Sequence, residues 1–105
     1  MKIAITSTGN TLESTLDMNF GRCEYFVVYD TESRTMEYIP NPNKEAAEGA
    51  GTASVHLIAS RSVNKIVSGE FGLKIKPLLD SLRIQMIVLN DPKKTIGEII
   101  EMLNR

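Results

Sequence analysis

The chain has 105 residues, which suits one domain spanning 1–105 around a single core. Hydrophobic residues make up 42% and charged residues 24%, an ordinary globular composition rather than a disordered one. The net charge of −1 comes with 12 scattered basic residues and no basic stripe, which argues against nucleic-acid binding; no apolar run approaches the length that spans a bilayer.

The chain opens directly on "KIAITS", Lys2 to Ser7, a short strand with Ile3 and Ile5 on one face. No small-residue cleavage site precedes it, so a cytoplasmic protein is expected. "YFVVYD", Tyr25 to Asp30, is apolar on both faces, as in a strand buried in mid-sheet. "TESR" is a turn, and "TMEYIP", Thr35 to Pro40, alternates, so these two strands form an antiparallel hairpin. "NPNKEAAEGAG", Asn41 to Gly51, is small and polar with few apolar anchors, and is expected to be the most mobile part of the chain.

A helix is predicted over Gly51 to Arg61, with Ala53, Leu57 and Ile58 at helical spacing. "KIVS", Lys65 to Ser68, is a strand, and "GEFG" a turn. Leu73 to Leu82 reads as a helix facing the core through Leu78, Leu79 and Leu82; Pro77 is tolerable there only within the first turn. "QMIVL", Gln85 to Leu89, is the last strand. "TIGE", Thr95 to Glu98, is a capping box opening a helix with Ile96, Ile99, Ile100 and Leu103 on one face. A hairpin followed by strand–helix alternation predicts an α/β fold: helices on a five-stranded mixed sheet of order 3-2-1-4-5, with strand 2 antiparallel to the rest.

In such a sheet, ligands sit beyond the carboxyl ends of the parallel strands. Four loops meet at that rim: "TSTGN" with Ser7 and Gly9, "NFGRC" from Asn19 to Cys23, "NPNKEAAEGAG" and "SGEFG". "EGAG", Glu48 to Gly51, opens a helix whose free N–H groups would attract an anion, although two glycines can also simply make a turn. Arg22 offers a planar fork of donors for an anion, or a structural pairing with Asp17 or Glu24. His56, the only histidine, reads as structural or superficial, and Met18 as gap-filling. Cys23 is the only cysteine, so an internal disulfide, a dithiol motif and a cysteine metal cage are excluded. Either it faces the rim as a single soft metal ligand beside Arg22, or it turns inward, the orientation favoured here. As a nucleophile it would have neither a base nor an orienting group.

The order "KIAITS", "FGRCEYFVVYD", a strand running into Asn41-Pro42, "GAGTA", "VNKIVSGEFG" and "TIGEIIEML" resembles the dinitrogenase iron-molybdenum cofactor biosynthesis family over nearly the whole chain. That family includes NifX-like carriers and the domain attached to the cofactor-core synthase. The resemblance implies a three-layer α/β/α sandwich with a ribonuclease-H-like motif. It also implies a non-catalytic carrier of an iron-sulfur or molybdenum-containing cluster or its precursor, held transiently and exchanged with a donor or acceptor protein. The candidate site, taken from the loops at the rim, is Ser7, Gly9, Asn19, Phe20, Gly21, Arg22, Cys23, Glu48, Gly49, Ala50 and Gly51, and a monomer or weak dimer is expected. One departure is that "KEAAEGAG" lacks the histidine many family members carry near this segment. The alternative is a metal-free module for a small anionic metabolite or a protein partner.

Overall fold

The computed structural model describes residues 1–104. Its elements are β1 (Lys2–Ser7), β2 (Tyr25–Asp30), β3 (Met36–Pro40), α1 (Ala50–Ala59), β4 (Lys65–Ser68), α2 (Ile75–Ser81), β5 (Gln85–Val88) and α3 (Ile96–Leu103). The sheet order is β3-β2-β1-β4-β5, as the sequence predicts. β2 is antiparallel to both β1 and β3, while β4 runs parallel to β1 and to β5.

Strand alternation divides the core into two layers. Ala4, Phe26, Val28 and Ile66 face one side, where Val55 and Ile58 of α1 and Ile75 and Leu79 of α2 cover them. Ile3, Ile5, Val27, Tyr29 and Val67 face the other side, under Ile96, Ile99 and Ile100 of α3. β2 lies between β1 and β3 with side chains in both layers, which is why it is apolar on both faces.

Two helices depart from the sequence pattern. α1 begins at Ala50 and buries Ser54, Val55 and Ile58, leaving Ala53 and Leu57 half-buried. The polar Ser54 can face the core because its hydroxyl donates to the Gly21 carbonyl at 3.1 Å. α2 begins only at Ile75, so Pro77 is its third residue, where no intrahelical N–H bond is lost. It stops at Ser81, and Arg83 takes a left-handed φ of 58°, so the chain turns away and Leu82 is left exposed.

The capping box is formed at α3. The Glu98 N–H donates to Thr95 Oγ1 at 3.2 Å, and the Thr95 N–H donates to Glu98 Oε1 at 3.0 Å. The Thr95 N–H first, and second its hydroxyl, which also donates to Glu98 Oε1 at 3.0 Å, hold the Glu98 carboxyl below the usual glutamate range. A folded value below the unfolded one adds stability above the unfolded value, and that stability is lost as pH falls through the folded value. Thr95→Ala removes the N-cap hydroxyl and should cost about 1 kcal/mol at neutral pH. In urea melts the penalty should shrink at strongly acidic pH.

Candidate functional site

The ends of β1, β3 and β4 and the start of β2 meet at one edge of the sheet. A cleft of about 390 Å³ opens there, lined by residues 19–22, residues 49–52, residues 70–72, Lys74 and Ile75. Three connections build it: β1 to β2, β3 to α1, and β4 to α2.

Close backbone approach seals its floor. A Cβ added to Gly21 would lie 3.0 Å from both the Cα and the N of Gly51, so the β1–β2 connection rests directly on the first turn of α1. The Gly21 carbonyl accepts from Asn41 Nδ2 at 3.0 Å as well as from Ser54. Asn41 Nδ2 also donates to the Cys23 carbonyl at 2.9 Å, and its Oδ1 accepts from the Asn43 N–H at 3.0 Å. Asn41 is buried, and it fastens the exit of β3 to the entry of β2. On the far wall, Phe20 stacks on Phe71 with ring centroids 5.5 Å apart, and its N–H donates to the Glu70 carbonyl at 3.3 Å.

The cleft is rich in donors. Gly49 caps α1 in the left-handed region (φ 73°), which a glycine adopts without steric cost, and no side chain caps the helix. The first N–H groups of a helix have no intrahelical partner, and Ala50, Gly51 and Thr52, which carry them in α1, line the cleft. The helix contributes positive potential at that end, with no acid in its first turn to offset it. Arg22 and Lys74 add two cations, against one carboxylate from Glu70.

Arg22 takes neither of the acidic partners its position suggests. Its Nη1 donates to the backbone carbonyls of Ala46 at 2.7 Å and Lys44 at 3.2 Å. Glu24 pairs instead with Lys44 at 2.7 Å. The segment after β3 is met by Asn41 at its start and by Arg22 at Lys44 and Ala46, with an exposed ion pair between Lys44 and Glu24.

Of the residues singled out in the sequence, Asn19, Phe20, Gly21, Arg22, Gly49, Ala50 and Gly51 line the cleft. Cys23 does not. It is fully buried in the layer under α1 and α2, beneath the Asn41 amide. Burial, with a smaller contribution from the Asp17 carboxylate, pushes its thiol far above its ordinary value, so the thiolate a metal requires is disfavoured. Ser7 is buried at the end of β1, its hydroxyl donating to the Gly9 carbonyl at 2.7 Å, and both lie outside the cleft. Glu48 is exposed just beyond it. Met18 packs against the α3-side core, and His56 lies in the last turn of α1, away from its open start. Thr52, Glu70, Phe71, Gly72, Lys74 and Ile75 line the cleft without having been singled out. The signal for Glu70, Phe71 and Gly72 is the loop "SGEFG" at the same rim. Among the described residues no three His, Cys, Asp or Glu side chains come together as a metal site. No described helix is long and apolar enough to cross a membrane.

Residues 1–105 match the model of the family described as dinitrogenase iron-molybdenum cofactor. An uncharacterised protein of Methanocaldococcus jannaschii is 33% identical over 105 residues, covering 97% of this chain and 84% of the relative. The apo form of the orange protein from Desulfovibrio gigas superposes with a TM-score of 0.90 at 25% identity, covering 97% of this chain and 85% of that one. A Thermotoga protein described as a "putative NifB protein", solved by NMR, superposes with a TM-score of 0.82 at 28% identity, with the same coverage of 97% and 85%.

Asn41→Ala leaves the carbonyls of Gly21 and Cys23 short of a donor in a buried junction. It should lower unfolding free energy by about 1–3 kcal/mol in denaturant titration.

Proposed function

The chain belongs to the dinitrogenase iron-molybdenum cofactor family, and on that premise we propose that it carries an anionic metal–sulfur cluster, or a precursor of one, in the rim cleft. The observation that carries this reading is the uncapped start of α1, which opens into the cleft that Arg22 and Lys74 also line. Sulfur and oxygen atoms on an anionic cluster accept hydrogen bonds from backbone N–H groups, and concavities built from such groups bind anions. The donor set fits a cluster held through its outer atoms rather than by bonds to its metals. The cleft offers N–H groups and two cations, but neither thiol nor imidazole.

Such a grip suits transfer. No metal–protein bond has to break when the cargo leaves, so a donor or acceptor protein competes only with hydrogen bonds and charge. The same features support a carrier rather than a catalyst: the sole thiol is buried, and the sole histidine sits at the other end of α1. A second reading, a metal-free site for a small anionic metabolite or a partner's acidic group, is favoured by the lack of ligating side chains.

Anaerobic reconstitution with iron, sulfide and molybdate, followed by desalting, metal analysis and visible absorption, separates the two. The carrier reading expects a coloured, metal-loaded protein. Cys23→Ala should load as well as the parent, and Lys74→Ala should bind about fivefold more weakly, the worth of roughly 1 kcal/mol from one partly screened charge. A colourless, metal-free protein under these conditions would point to the metal-free reading.

A further inference from the structure

We propose that Arg22 is a positioning residue that couples occupancy of the cleft to the order of the 42–48 segment on the outer surface. The proposal rests on the reading of the cleft as an anion site.

The segment contains no helix or strand. Asn41 anchors it at one end and the start of α1 at the other. Between them, the Ala46 N–H turns back onto the Asn43 carbonyl at 3.1 Å, and Lys44 pairs with Glu24 on the exposed surface, a contact of small worth. The remaining hold is Arg22, whose Nη1 reaches the carbonyls of Lys44 and Ala46. The Arg22 backbone is itself fixed, its N–H donating to Asn19 Oδ1 at 3.0 Å.

A guanidinium carries five N–H donors in one rigid plane. Two of them, on Nη1, account for the bonds to the segment. Those on Nε and Nη2 have no protein partner among the described residues, and Arg22 lines the cleft. One edge of the plane therefore holds the segment while the other remains open to an anion. An anion taken on the open edge immobilises the plane, and with it the carbonyl bonds on the opposite edge. By linkage, a held segment also presents a better-ordered Arg22 to the anion. A lysine has a single nitrogen with freely turning donors and could serve one edge only at the expense of the other.

Tetrathiomolybdate, a coloured metal–sulfur dianion, serves as the probe. Its binding is read by absorption after desalting, and the exchange of the Asn43 and Ala46 amides by fast-exchange NMR. In the parent protein, saturating probe should slow both amides about fivefold or more, the usual scale of coupling between two sites. Arg22→Ala should exchange faster than the parent without probe and should not respond to it. Arg22→Lys should keep part of the binding and lose the slowing. Binding without slowing in the parent, or equal slowing in Arg22→Lys, overturns the coupling while leaving the anion reading intact. Unchanged exchange in probe-free Arg22→Ala overturns it as well. Failure of the parent to bind the probe overturns the anion reading, and the coupling with it.

Discussion

The site depends on the contact between the backbones of Gly21 and Gly51. A Cβ added to Gly21 would lie 3.0 Å from the Cα and N of Gly51, tighter than ordinary van der Waals contact, so a methyl group there would push the two backbones apart by a few tenths of an ångström. That absence of side chains lets the β1–β2 connection lie against the start of α1 and form the floor of the cleft. The Gly21 carbonyl then becomes the shared acceptor of Asn41, at the exit of β3, and Ser54, on the inner face of α1. One partly buried oxygen ties together two of the three connections that build the cleft. Because the backbones meet so closely, the helix can start without a side-chain cap and still be held in place, leaving its first N–H groups to the cleft.

This arrangement shifts the chemistry from coordination to hydrogen bonding. The lone cysteine invites a metal-ligand role, yet it serves as a small core residue under the Asn41 amide. The cleft is lined by the start of α1, whose first N–H groups have no intrahelical partner, together with a guanidinium, an ammonium, a single carboxylate and the apolar Phe20, Phe71 and Ile75. Donors of that kind recognise charge and the acceptor atoms on a ligand's surface, not the identity of a metal within it. Membership of a family named for the iron-molybdenum cofactor points to involvement with a metallocluster, and under the proposed reading the cleft would hold such a group by hydrogen bonds and charge alone.

The fold was legible because its signals are local and agree with one another. The hairpin, the capping box at Thr95 and the alternation of β1 each specify one element, and crossover handedness leaves few ways to assemble them. Half of the site was legible for a related reason, since glycines before a helix and a Phe-Gly-Arg run before a strand are short, contiguous marks. The rest was not. Whether Cys23 faced inward could not be read from β2, whose side chains fill both layers and so give no preferred face. Arg22 binds carbonyls 22 and 24 residues away, and backbone acceptors leave no trace in residue type. Lys74 and Ile75 reach the cleft because α2 begins at Ile75, later than the apolar spacing suggests, so that Lys74 belongs to the rim.

The central claim is that the first N–H groups of α1 grip the anion directly. Amide NMR during titration with tetrathiomolybdate tests it residue by residue. The account expects the largest shifts at Ala50, Gly51 and Thr52, together with the Arg22 side-chain N–H signals. Shifts concentrated around Cys23, or on the apolar face formed by Leu73, Met86 and Val88 beside the cleft, would contradict it.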